Sequence, residues 1–261
     1  MALGWSARRQ LLYYAVGTAV LIALSLMIWV TFFIEHPTCF DQTQNGSERG
    51  VDCGGSCALI CAAEAKVPTV LWSRSFNTAP TLYTAAAYIQ NNNLGAGAKS
   101  VSYSFQLYDE NNLLVKEKTG TIDLPPVLVI PIVEHNINVG NRTVVRTQLC
   151  FNFDPRCLPT PTAPPVWNKI LARDLPALRV TEQQLTAGGT RLAATLQNDS
   201  LKDARSVTIA AVLFDAQGVA RAAAKSLLDI VPRKSSQPLV FTWPYQNPNI
   251  VRVEINVLPS F

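Results

Sequence analysis

The chain repeats itself. Gln90-Asn91, Ser100-Val101, Leu107-Tyr108-Asp109 and Ile122-Asp123-Leu124 recur as Gln197-Asn198, Ser206-Val207, Leu213-Phe214-Asp215 and Leu228-Asp229-Ile230. The offset is 107 residues for the first pair and 106 for the others, one residue being lost between Asn92 and Lys99. A register held over that distance argues duplication of a whole domain. The period far exceeds the roughly 20–50 residues of solenoid repeats, so each copy has to bury its own core.

Each copy reads as strands. Val101, Tyr103, Phe105 and Leu107 alternate with Ser102, Ser104 and Gln106, the period of two expected of a sheet with one buried face. Asp109-Glu110-Asn111-Asn112 and Asp215-Ala216-Gln217-Gly218 are polar turns followed by apolar residues, a hairpin signature. Pro125-Pro126 and Pro232 break the chain at matching places, and apolar runs from Val127 to Val133 and from Leu239 to Trp243 supply the next strand. No helix-period stretch appears in either copy. The pattern predicts two tandem immunoglobulin- or fibronectin-like antiparallel β-sandwiches, over 67–153 and 169–261. Between them, 154–168 holds five prolines within its first twelve residues, the composition of an extended, semi-rigid spacer that holds the domains apart or at a limited angle, as in a stalk.

Phe105-Gln106-Leu107-Tyr108-Asp109 spells F-x-L-Y-D, and the first copy resembles the bacterial FxLYD domain. The second copy has Ala211 and Phe214 in place of the motif's Phe and Tyr, and its membership leans on the repeat. Both copies are similar to late-embryogenesis-abundant water-stress domains. The resemblance covers 69–153 and 175–258 and implies an antiparallel sandwich on a bacterial cell surface, with no catalysis. Read on the residues alone, Phe105 and Leu107 face the core, Tyr108 the other side, and Asp109 opens the turn.

Ahead of the repeats, 24 residues from Leu11 to Ile34 carry no charge. As a helix they measure about 36 Å, enough for a hydrocarbon core of about 30 Å. Arg8 and Arg9 precede the run while Glu35, His36 and Asp41 follow it, which places 1–10 in the cytoplasm and everything after 34 outside. A cleaved signal peptide fits less well, because the run exceeds the usual length and no A-x-A-like site follows. The formal net charge of +4 is too small to imply nucleic acid, and Arg8 and Arg9 account for part of it.

All six cysteines, Cys39, Cys53, Cys57, Cys61, Cys150 and Cys157, lie beyond that run, an even number that fits disulfides in an oxidising compartment. Zinc is the competing reading, but the C-x13-C-x3-C-x3-C spacing of the first four is not that of common zinc sites. Cys39, Cys53, Cys57 and Cys61 allow three pairings among themselves, which stay open; Cys150 and Cys157 are expected to pair with each other. Within the cysteine-rich segment 35–66, Asp41, Asn45, Glu48 and Asp52 alternate with glycines. Calcium takes about 6–8 oxygen ligands, so these four are candidate calcium ligands; the alternative is that they form turns and cap the loop's amides. The string from Asp41 to Cys57 resembles a short D-x-x-x-N-G-x-E-x-G-V-D-C-G-G-x-C module of bacterial envelope and secreted proteins, which implies an extracytoplasmic location and no proven metal.

No G-x-S-x-G, H-E-x-x-H, Walker or strand-linked G-x-G-x-x-G motif occurs, and the only histidines, His36 and His135, read as incidental. Leu94-Gly95-Ala96-Gly97 reads as a loop, and Asp109 with Glu110 as a solvated turn. Asn45, Asn141 and Asn198 stand in glycosylation sequons, a motif common enough to arise by chance. The expectation is therefore a non-enzymatic, single-pass envelope protein without certain cofactor, anchored in the bilayer through 11–34. Its sandwiches would serve as a scaffold or adhesion module for an envelope protein or wall polymer. A calcium-stabilised stalk is the alternative, and an unrecognised enzyme comes third.

Overall fold

With no charge to hold it in water, the N-terminal run closes its own backbone hydrogen bonds as α1 (Trp5–Phe33). The computed structural model describes residues 5–33, 39–127, 129–157, 159–259 and 261. The stretch Arg9–Trp29 is long and apolar enough to cross a membrane. The Thr18 hydroxyl, midway along it, is satisfied internally by donating to the carbonyl of Tyr14 at 2.6 Å. Ile34, Glu35 and His36, used above to set the span and its orientation, lie outside the described residues.

The chain divides into two units, 1–55 and 56–261. In the second, alternating sequence becomes two layers of antiparallel strands, twice over. The first sandwich comprises β1 (Thr69–Ala79), β2 (Leu82–Gln90), β3 (Ala96–Tyr108), β4 (Leu114–Leu124), β5 (Val129–Asn138) and β6 (Arg146–Phe151), with a three-residue β7 (Trp167–Lys169). Its sheets have the orders β1-β2-β5 and β4-β3-β6, and β7 adds to β3 through Ala98↔Trp167. The second comprises β8 (Leu178–Leu185), β9 (Arg191–Asn198), β10 (Ala204–Asp215), β11 (Ala220–Val231), β12 (Ser236–Thr242) and β13 (Ile250–Leu258), in sheets β8-β9-β12 and β11-β10-β13. Strand for strand, the two orders correspond.

Phe105 and Leu107 are fully buried in the first core beside Ile89, Leu124 and Ile132. Leu213, Leu196, Phe241 and Trp243 fill the second. The tight turns after β3 and β10 require a left-handed residue, which Asn112 (φ 57°) and Gly218 (φ 72°) supply. In β4, Gly120 lies where a Cβ would sit 2.6 Å from the Tyr103 hydroxyl, so only glycine lets that ring cross the strand.

Two expectations about the sandwiches need correcting. The proline-rich stretch 154–168 does not run as a free spacer: Thr162 donates its N–H to the Asn152 carbonyl, and Trp167, 2% exposed, packs into the first core and starts β7. Nor are the sandwiches held apart. A third apolar cluster joins them, with Ala86, Tyr88 and Val133 of β2 and β5 against Ala210, Val212, Phe214 and Ala223 of β10 and β11. The physical reason is visible in the strands themselves, since β2 and β10 are buried over most of their length on both faces. A single-faced alternation cannot describe such strands.

The division between the two units falls within the cysteine-rich segment expected over 35–66. Cys39 and Cys53 fall in the first unit, whereas Cys57 and Cys61 fall in the second. The cause is apolar: Ile60, Ala65 and Val67 pack on the core of the first sandwich, and Ile60 N–H donates to the Trp167 carbonyl, so the chain from Ser56 onward belongs to the β body.

Candidate functional site

The four predicted oxygen-bearing residues do meet in one loop, where their oxygens serve the loop's amides. Both Asp52 oxygens accept from backbone N–H groups, Asp41 at 2.9 Å and Gln42 at 3.0 Å. Glu48 Oε2 accepts from the N–H of Asn45 and of Asp52, and Asp41 accepts from Thr43 and from the Asn45 side-chain amide. This is the turn-forming chemistry of a loop with too little apolar surface for a core of its own. One atom departs from it: Asn45 Oδ1 is buried and accepts no hydrogen bond among the described residues.

Cys39, Cys53, Cys57 and Cys61 are each disulfide-bonded, and Cys150 pairs with Cys157 as expected. A sulfur held in a disulfide is no thiolate, so none of the six offers zinc a ligand. Cys57 and Cys61 are buried, whereas Cys39 and Cys53 are half-buried.

The repeated polar residues hold turns in both copies. Asn91 and Asn198, 1% and 0% exposed, each use the side-chain amide to donate to two backbone carbonyls, Ala96 and Pro125 in one case, Lys202 and Val231 in the other. Full burial of Asn198 leaves its sequon no room for a glycan. Asp109 Oδ1 accepts from the N–H of Asn111 and Leu113, and Asp215 Oδ1 from Gln217 and Val219. The Arg142 guanidinium, with the amides of Leu113 and Asn111, holds the Asp109 carboxyl below the usual carboxylate range. For Asp215, burial opposes ionisation, but the Val219 amide and the Arg221 guanidinium outweigh it and lower its pKa.

What the sequence did not reveal is the seam between the sandwiches. Trp72 stacks on Tyr88 with centroids 4.9 Å apart, and Phe214 meets both rings edge-on. Around this apolar patch runs a chain of polar contacts that cross from one sandwich to the other. Lys225 Nζ pairs with Glu134 at 3.1 Å, and Glu134 accepts the Tyr103 hydroxyl at 2.7 Å. Tyr88 donates to Glu254 at 2.8 Å and accepts from Asn256. Burial, reinforced by the neighbouring carboxylates, raises both tyrosines above their ordinary range, so both remain neutral donors. A cavity of about 230 Å³ opens here, lined by Tyr103, Asp123, Thr208 and Lys225 among others.

His135, incidental by sequence, sits in this seam. Its Nε2 accepts the Lys225 N–H at 2.9 Å, which assigns the ring proton to Nδ1, 3.1 Å from the Thr84 hydroxyl. Burial, then the Lys225 ammonium, lowers its pKa from 6.5. The folded protein therefore binds the proton less readily than the unfolded chain, and stability rises with pH across that interval. The contribution is complete above about pH 6.5 and is lost as pH falls through the folded value. Thermal melts from pH 7.5 to 5 are expected to show the midpoint dropping in the wild type. In His135→Gln, which keeps an acceptor without a proton to gain, the slope is expected to be shallower; equal slopes would place the effect elsewhere.

Searched against protein-family models, the chain matches none, and no curated protein matches it. Among solved structures it is similar to red sea bream transglutaminase, at 12% identity over 74% of this chain and a TM-score of 0.24. The chain spans 29% of that enzyme's chain.

Proposed function

We propose that this is a non-enzymatic, single-pass, membrane-anchored protein of the bacterial cell envelope. Its N-terminus lies in the cytoplasm and its two FxLYD-like sandwiches lie outside, acting as a scaffold or adhesion module for an envelope protein or wall polymer. The observation that carries the reading is the third apolar cluster. It makes one body of two sandwiches, so that their outer edges and loops keep fixed spacing, a property that suits recognition. The N-terminal helix and the disulfides agree with an anchored, oxidised setting. In-cell crosslinking of the full-length protein, followed by mass spectrometry of what is joined to 69–261, is expected to return a reproducible envelope component. Self-crosslinks alone would overturn the scaffold role.

A second reading, calcium stabilisation of the cysteine-rich loop, is favoured by Asn45 Oδ1, an inward oxygen lacking a donor. Under it, Asp41, Asn45, Glu48 and Asp52 would hold the ion, with the carboxylates using lone pairs beyond those engaged by amides. The melting temperature of the full-length protein is then expected to fall in chelator and recover with added calcium. An unchanged melting temperature would remove calcium from the account.

A further inference from the structure

A groove of about 510 Å³ lies between strands β1 and β6 and reaches the start of β11. Along β1, the residues on the face turned toward the second sandwich are Trp72, Arg74 and Phe76, since their cross-strand partners are Tyr88, Ala86 and Thr84. Arg74 is exposed between two half-buried rings and has no ion pair among the described residues. Two more guanidinium groups line the groove and are already held in position. Arg146 lies 4.0 Å above the Tyr108 ring, and Arg221 is fixed by Asp215 through Nε at 2.6 Å. No carboxylate is among the residues that line it. The floor is made of hydroxyls: Ser73 donates to the Thr147 carbonyl at 2.7 Å and Thr147 to Ser75 at 2.9 Å.

We infer that this groove binds an anionic glycan, a sugar polymer carrying carboxylate or phosphate groups; the inference rests on the extracytoplasmic reading above and names its partner. Charge is the first reason. Arg74 and Arg146, which have no ion pair among the described residues, beside Arg221 held by Asp215 and with no acid in the lining, make a site for anions, and a guanidinium takes a carboxylate or phosphate through paired hydrogen bonds. Arginines held by stacking or ion pairing lose less side-chain freedom on binding. The occupant is a glycan rather than an acidic peptide because of the strand edge. A peptide adding to β6 needs its outward carbonyls, and that of Thr147 is already taken by Ser73. Hydroxyls beside aromatic rings suit the mixed polar and C–H surface of sugars.

The test uses the full-length protein in nanodiscs of neutral phosphatidylcholine, with polygalacturonate as probe and dextran and poly-L-glutamate as controls. Polygalacturonate is expected to bind, with affinity falling as salt is raised, and dextran to bind far more weakly. Arg74→Gln is expected to weaken binding about tenfold and Arg74→Gln with Arg146→Gln about a hundredfold. Both side chains are exposed, so the melting temperature is expected to stay unchanged, and the loss is one of recognition. Absence of polygalacturonate binding, or equal binding by the double variant, would overturn the groove. Poly-L-glutamate binding as tightly and with the same arginine dependence would replace the glycan by an acidic peptide. If the groove fails while crosslinking still returns an envelope protein, the scaffold reading stands without it.

Discussion

Replacing Asn198 by alanine is expected to destabilise the second sandwich by about 2 kcal/mol or more. The side chain is 0% exposed and ties the loop that follows β9 to the end of β11. Its amide donates to the carbonyls of Lys202 at 2.9 Å and Val231 at 3.0 Å, while its carbonyl accepts from the Ser200 N–H at 3.0 Å. Alanine leaves the Val231 carbonyl and the Ser200 N–H without this partner, while the Lys202 carbonyl keeps the Ser200 hydroxyl at 2.8 Å, and each group left unpaired loses about 1–3 kcal/mol when it stays buried. Asn91→Ala in the first sandwich is expected to behave alike, because Ala96 and Pro125 lose the same donor there. Urea titrations followed by circular dichroism measure both. A loss below about 1 kcal/mol for either would mean that water enters and takes over the amide's bonds.

These asparagines also mark how far the sequence could be read. They stood out because they recur within one residue of the offset of Asp109 and Asp215, and turn chemistry is local: a short side chain bonding backbone a few residues away leaves its trace in spacing. The alternation from Val101 to Leu107 located β3 and its inward residues for the same reason. In the cysteine-rich loop the four oxygen-bearing side chains were correctly grouped, yet grouping could not tell amide capping from cation binding, because both need oxygens turned inward. Cysteine spacing likewise suggested one module from Cys39 to Cys61, while the apolar residues that draw Cys57 and Cys61 onto the β body are scattered singly and leave no pattern. Other features depend on which surfaces meet. Nothing near His135 in sequence foretells the Lys225 amide, 90 residues away. The proline content of 154–168 limits its backbone without fixing its direction, so a spacer and a return path to the first core read alike. One signal was available. Leu82-Tyr83-Thr84-Ala85-Ala86-Ala87-Tyr88-Ile89 and Ile209-Ala210-Ala211-Val212-Leu213-Phe214 are nearly unbroken apolar runs, where a one-faced sheet would alternate. Such runs belong to strands covered on both faces.

That covering predicts the result of placing a charge in it. Ala86, 0% exposed, lies in the cluster with Ala210, at 1%, on the opposing sandwich. Ala86→Glu is expected to force the two faces apart, since a carboxylate buried there without a partner is worse by several kcal/mol than one in water. Each sandwich keeps its own core, because the residues of those cores point the other way from β2 and β10. The variant is therefore expected to unfold in two steps where the wild type unfolds in one, and to be cut by protease within 154–165 when the wild type is not. Trp72 reports the separation directly: its ring stacks on Tyr88 against Phe214, and its fluorescence is expected to shift to that of a hydrated indole at the first step. A single transition at a lowered midpoint, with the linker still protected, would show instead that neither sandwich stands without the other. The seam would then be part of one folding core, and the two sandwiches would not be independent folding units.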